Sequence, residues 1–362
     1  SHKAMRKFTL SFLAMATTLL SVLLLASCSA GSDTADVPQG NGVYFWRTSL
    51  SLDSAEIAFL RDNNVKRMYV RFFDVVRAED NSGVQPNATI SFPRGNVIPE
   101  DVEYVPVVFI LPECLSRGVP ELLAGHIVRR IKDMAAAHDL PEPKELQIDC
   151  DWTPSVREAF MQLMEQLYSE THKSGMKLSA TIRLHQLSQA PPAADYGVLM
   201  VYNTGDVRRP AKGNPILSRE AVDPYLRYLG DYKLPLITAL PNFRWPVLYK
   251  PVAGGGEEFA GILYGCRPEG QPSVFRPDGE STWLALSSEL FSTALGNREN
   301  VVRVVPGMRL RVFSPPALNE LLEIKSELSR ARPGVLGSIV LYDLNSENLS
   351  IYKGEYEKVF AD

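Results

Sequence analysis

The chain has 362 residues, 45% of them apolar and 22% charged, with 24 Gly and 26 Pro. This composition excludes a mainly disordered or fibrous chain and leaves room for one large domain or two ordinary ones. A formal net charge of −4, from 38 basic and 42 acidic side chains, argues against nucleic acid as a partner, and four cysteines are too few for a disulfide scaffold.

In chain order, Lys3, Arg6 and Lys7 precede a long, mostly apolar run from Phe8 to Ala26 that no acidic residue interrupts. A positive segment followed by an apolar one is the pattern of a secretory signal, expected over residues 1–27, with Ser1–Ala4 a cloning remnant ahead of the initiator Met5. The run ends Leu25-Ala26-Ser27-Cys28, which resembles the lipobox of bacterial lipoproteins. That resemblance implies cleavage before Cys28, acylation of Cys28, and anchoring to a lipid bilayer in the bacterial cell envelope, on the periplasmic or cell-surface face. The alternative is a retained membrane-spanning helix, for which the run is borderline in length. Residues 28–41 are small and polar and read as a flexible tether. Cys114, Cys150 and Cys266 remain beyond it; an odd count points to packed thiols.

The first strand is expected over Gly42–Arg47, followed by a helix over Asp53–Asn63 with Ile57, Phe59 and Leu60 as its apolar members. Strands two and three fall on Arg67–Phe73 and Tyr104–Ile110. Pro120–His138 reads as a helix with Pro in its first turn and Leu123, Ile127, Val128 and Ile131 at helical spacing. Strand four is Glu145–Asp151, and the helix Val156–Lys173 has Ser155 as its cap with Glu158 three residues on. Lys177–Arg183 and Gly197–Asn203 make strands five and six, Arg219–Gly230 a helix, Leu234–Leu240 strand seven, Leu318–Leu328 a helix, and Val335–Tyr342 strand eight. No helix is evident in Val75–Glu103 or Leu184–Tyr196. Eight such runs with intervening helices predict an α/β fold, a (β/α)8 TIM barrel over residues 42–362. The stretch of about 246–312, with its Gly254-Gly255-Gly256 turn, is too long for a plain connection and reads as a small insertion after strand seven that walls the cleft.

The stretch Ile148-Asp149-Cys150-Asp151-Trp152-Thr153 is the most informative. Side chains alternate along a strand, so Asp149, Asp151 and Thr153 share one face, directed into the barrel near its C-terminal mouth, where active sites of this fold sit. Two such carboxylates repel and are expected to have separated pKa values, which favours a catalytic pair over a structural one held by Arg, Tyr or backbone groups.

These residues resemble the family-18 glycoside hydrolases, the chitinase-like barrels, whose fourth strand carries Asp-x-x-Asp-x-Asp-x-Glu, commonly ending Ile-Asp-x-Asp-Trp-Glu. The chain matches at Ile148, Asp149, Asp151 and Trp152, and again at Met200-Val201-Tyr202-Asn203, where the family shows Met-x-Tyr-Asp or Met-x-Tyr-Asn on strand six. It departs at Leu146, in place of the first Asp, and at Thr153, in place of the general-acid Glu. The resemblance implies that Asp151 orients the acetamido group of a sugar and that Tyr202 hydrogen-bonds its oxygen. Thr153 cannot supply a proton at neutral pH, and losing a general acid typically costs about 10²–10⁴ in rate.

Glu113, after strand three, is the carboxylate that could replace the missing acid beside Asp149 or Asp151; ordinary glycosidases place such a pair about 5–10 Å apart. Asp74 after strand two is a further candidate. Trp46, Arg183, Tyr202, Asn203, Asn242, Trp245 and Tyr342 are candidate sugar-binding residues at the strand ends, with Tyr44, His185, Arg244 and Asp343 beside them. Arg71 could neutralise an interior carboxylate. No zinc motif, P-loop, dinucleotide fingerprint or nucleophile elbow is present, so neither a metal nor a cofactor is expected. Three functions follow: a glycosidase-like, membrane-anchored lipoprotein acting on oligosaccharide or polysaccharide, a non-catalytic glycan-binding lipoprotein on the same barrel, or a structural envelope protein whose barrel mouth is only a scaffold.

Overall fold

The computed structural model describes residues 37–95, 98–208, 213–293 and 301–362. The expected signal segment, Cys28 and most of the tether lie outside the described residues. Among the described residues no helix is long and apolar enough to cross a membrane.

The apolar runs form the staves of a closed barrel. They are β1 (Asn41–Phe45), β2 (Val65–Arg77), β4 (Glu103–Ile110), β5 (Glu145–Asp149), β6 (Lys177–Arg183), β7 (Tyr196–Met200), β8 (Leu236–Pro241) and β16 (Ile339–Tyr342). Each pairs in parallel with its neighbours, and β1 closes the ring by pairing with both β2 and β16. Strands covered on both faces carry near-continuous apolar sequence, and every residue of β5, β7 and β8 is buried. The helices α1 (Ser54–Asp62), α2 (Leu123–Ala137), α3 (Arg157–Lys173), α4 (Arg219–Leu229) and α5 (Leu318–Ala331) lie between the strands, and α6 (Tyr356–Phe360) ends the chain. In α2, Leu123, Ile127, Val128, Ile131 and Ala135 form the buried stripe.

As expected, no full helix follows β2 or β6: β2 runs on to Arg77 and folds back antiparallel onto β3 (Val84–Asn87), and Leu184–Ser188 is a short 3-10 turn. Other local expectations are corrected. Helix α2 begins at Leu123, leaving Pro120 outside its first turn. Ser155 does not cap α3, because its hydroxyl bonds Thr153 Oγ1 at 2.8 Å. On α1 the buried positions are Glu56, Phe59 and Leu60, whereas Ile57 is exposed. Asp53 and Glu56 form a reciprocal capping box, a pattern visible in the sequence as Asp-x-x-Glu.

Between β8 and α5 the chain builds a second sheet. Strands β9 (Trp245–Pro251), β10 (Glu257–Ile262), β11 (Phe275–Gly279), β12 (Thr282–Ala285) and β15 (Arg309–Phe313) form it, with a separate hairpin of β13 (Glu289–Ser292) and β14 (Val301–Val304). It has its own core around Leu248, Leu263, Phe275 and Leu310. Cys114, Cys150 and Cys266 are buried free thiols; burial pushes Cys114 up to about 11 and Cys266 to about 12.

Candidate functional site

The barrel interior is polar and arranged in rungs. At the N-terminal end, Glu145 accepts from Ser179 and Tyr196 at 2.6 Å each and from Arg67 at 2.8 Å, while Tyr196 also meets the Tyr69 hydroxyl. One rung up, Gln147 accepts from Tyr44 at 2.6 Å and donates to Ser179. Asp149, the next inward side chain of β5, accepts from Thr181 and Arg183, both at 2.7 Å. Alternation along β5 thus places Glu145, Gln147 and Asp149 in one column, each held by partners from adjacent strands. Across the mouth, Arg71 and Asp74 form a second ion pair, with 2.8 Å between Arg71 Nε and an Asp74 oxygen. Burial raises the Asp74 carboxyl above its usual range, against the pull of Arg71.

The strand-four candidates separate. Asp149 is buried, but Asp151 lies beyond the end of β5 with 61% of its side chain exposed, 3.6 Å from Arg183 Nε. Arg183 is therefore engaged by both carboxylates, with a fifth of its side chain still exposed. Burial alone would lower its pKa, but Asp149 and Asp151 outweigh burial and raise it. Thr153 is exposed and bonded to Ser155. Glu113 is exposed on a 3-10 turn; its main-chain carbonyl accepts from Arg77 at 2.7 Å, and its carboxylate makes no hydrogen bond among the described residues. Asn242 is fully buried: Nδ2 donates to the Asp343 carbonyl, and Oδ1 accepts from Tyr356 at 2.7 Å. It ties β8, the end of β16 and α6 together and does not line a cleft.

His185 is exposed on the 3-10 turn after β6 and Tyr44 is tied to Gln147, whereas Trp46, Asn203, Arg244, Trp245, Tyr342 and Asp343 converge on a cavity of about 330 Å³ between the barrel mouth and the second sheet. Trp46, Phe243, Trp245, Tyr264 and Tyr342 supply its rings; Asn203, Arg244, Asp343, Asn345 and Asn348 supply polar groups. Tyr342 is the hub of an aromatic cluster, stacked on Tyr202 at 5.1 Å and edge-on to Phe243 and Trp46 at 5.7 and 5.6 Å. Tyr202 lies beneath this floor, buried, and its hydroxyl has no hydrogen-bond partner among the described residues. Asn203 takes a left-handed conformation, φ 55°, one that Asn tolerates better than most residues.

Asp343 is the distinctive acid of this cavity. Burial pushes its carboxyl up to about 6, opposed by Arg47 and by a hydrogen bond with the Asn348 side chain. Glu56, fully buried on α1, supports this wall: it accepts from Arg47 Nη2 at 2.9 Å on both oxygens, from the Asp53 amide at 3.0 Å and from the Ser346 amide at 3.1 Å. Glu56 had no place among the residues expected to shape the site; its signal was the capping box. Among the described residues no group of three His, Cys, Asp or Glu side chains could hold a metal ion.

No family model matches the chain, and no curated protein does. Solved structures do. The C-terminal domain of a proposed chitinase from Desulfitobacterium hafniense superposes with a TM-score of 0.51 at 10% identity, over 90% of this chain and 100% of that one. A chitinase from Chromobacterium violaceum gives 0.49 at 14% identity, over 90% and 100%. The spore cortex-lytic enzyme SleL of Bacillus megaterium gives 0.49 at 11%, over 85% and 71%. At 10% identity the first likeness concerns the fold alone, and the other two, below 0.5, bear on neither site nor activity. The chain is a closed eight-stranded parallel TIM barrel.

Proposed function

We propose that this protein binds a glycan in the aromatic cleft at its barrel mouth and does not cleave it through the strand-four carboxylates. The observation that carries this reading is the ring-lined cavity of about 330 Å³, whose Trp46, Trp245 and Tyr342 can meet the apolar faces of sugar rings while Asn203, Asn345 and Asn348 meet hydroxyls. The bonded hydroxyl at Thr153 and the tie of Asp149 to Arg183 and Thr181 support the absence of chitinase-type turnover. Calorimetry against N-acetylated, neutral and acidic oligosaccharides tests it. Trp245→Ala should weaken binding by up to about tenfold, an aromatic contact being worth roughly 0.5–1.5 kcal/mol beyond its buried area. A panel with no binder rejects the reading.

A second reading, hydrolysis, is favoured by Asp343 alone. A carboxyl raised to about 6 stays partly protonated near neutrality and could protonate a leaving oxygen. Turnover would then fall as pH rises through about 6, because the proton must be present, and Asp343→Asn would lose about 10²–10⁴ in rate. Wild-type protein that releases no reducing ends at pH 5 sinks this reading and leaves the first standing.

We also propose that residues 1–27 are removed and that acylated Cys28 anchors the protein to a membrane. The apolar run ending Leu25-Ala26-Ser27-Cys28 supports this. Mass spectrometry of detergent-extracted protein should find a lipidated N-terminal Cys28 peptide; an uncleaved run or an unmodified Cys28 overturns it.

A further inference from the structure

We infer that the glycan this cleft takes is anionic, with a sugar-borne carboxylate paired to Arg244. The inference rests on the glycan-binding reading and adds the charge of the ligand. Three guanidinium groups line the cavity, from Arg47, Arg244 and Arg267. Arg47 is held by Glu56 at 2.9 Å. Arg267 donates to the Glu347 carbonyl at 2.9 Å, and its Nε lies 3.7 Å from the Glu347 carboxylate. Arg244 makes no hydrogen bond and no ion pair with any described residue, yet it is half-buried between Phe243 and Trp245 in the segment that joins β8 to β9.

A guanidinium partly withdrawn from water with no counter-ion carries a desolvation cost that a bound carboxylate offsets. Its planar fork matches a carboxylate with two parallel N–H···O bonds, a geometry that a neutral hydroxyl cannot reproduce. The protein's own carboxylates in the wall do not serve: Glu347 accompanies Arg267, Asp343 faces Arg47 and Asn348, and Glu269 is exposed without an ion pair to Arg244. The neighbouring Trp245 ring would carry the sugar that bears the charge. Such a carboxylate is found either on the ring, as in a uronic acid, or on a lactyl ether, as in a muramic acid.

The full chain is titrated calorimetrically with tetragalacturonate, with N-acetylglucosaminyl-N-acetylmuramic acid, with the methyl ester of each, and with chitotetraose. At least one acid should bind about ten- to a hundredfold more tightly than its own ester, the range expected for a charge-assisted pair, and the pair that shows the difference identifies the source of the carboxylate. Arg244→Gln should erase that preference and Arg244→Lys keep part of it, with melting temperatures matching wild type. Esters that bind as well as acids, or a preference that survives Arg244→Gln, overturn the inference. Binding of chitotetraose alone overturns it too while the glycan reading stands; binding of none of the five overturns both.

Discussion

Arg183→Met is expected to cost about 3–5 kcal/mol of stability, measured by denaturant unfolding, because it leaves a buried carboxylate without its counter-ion. Asp149 is 3% exposed, and Arg183 Nη1 is its sole cationic partner within 2.7 Å among the described residues. Methionine preserves much of the length of the side chain and its packing but donates nothing, so Asp149 would keep only the Thr181 hydroxyl. Asp149→Asn in the same chain should recover most of the loss, since an amide costs far less than a lone charge in the same place. Asp151→Asn should stay within about 0.5 kcal/mol of wild type, its carboxylate being largely in water. A loss below about 1 kcal/mol for Arg183→Met would mean that Asp149 finds water or another donor, and that the rung is not a closed unit.

The contrast between these two aspartates shows how far the sequence could be read. Alternation put Asp149 on the inner face, and that is where its side chain lies. It also put Asp151 there, but β5 ends at Asp149 and alternation lapses with the strand. A pattern of residue types carries no mark for the residue at which pairing stops. The contacts that hold the inner carboxylates were not legible for a related reason. The partners of Asp149 come from β6, those of Glu145 from β2, β6 and β7, and none is adjacent in sequence. Arg183 could be seen as a residue at a strand end, but not as one already committed to Asp149.

The eight staves were legible because strands buried on both faces have little choice of composition. The β2–β3 hairpin was not, because Val84–Asn87 is short and half-exposed and contains a proline. Its pairing is set by β2 running past the barrel rim, not by any apolar run of its own. The cleft itself was half legible. Trp46, Asn203, Trp245 and Tyr342 could be placed at strand ends, and all four line the cavity. Asn242 looked equivalent by position, yet its amide is consumed by Tyr356 from the last helix.

Glu56→Ala is expected to have the second large effect, a loss of about 3–5 kcal/mol together with the loss of glycan binding. Glu56 is fully buried and accepts from three separate segments: Arg47 at the end of β1, Asp53 at the cap of α1, and Ser346 just past β16. Alanine would leave the Arg47 guanidinium without its carboxylate and the Ser346 amide without its acceptor, at the base of the turn that presents Asn345 and Asn348 to the cavity. Arg47 would then be drawn toward Asp343, whose carboxyl it already holds down against burial; Glu56 adds to the upward push. The Asp343 carboxyl should therefore fall below about 6 in the variant. Glu56→Gln keeps one acceptor oxygen for Ser346 or Arg47 but not the charge, so its stability should lie between alanine and wild type. An NMR titration of the Asp343 carboxyl carbon, run on the glutamine variant, separates the electrostatic effect from collapse of the wall. A carboxyl that titrates as in wild type would show that Glu56 only fastens the three segments and has no part in setting the charge of the cleft.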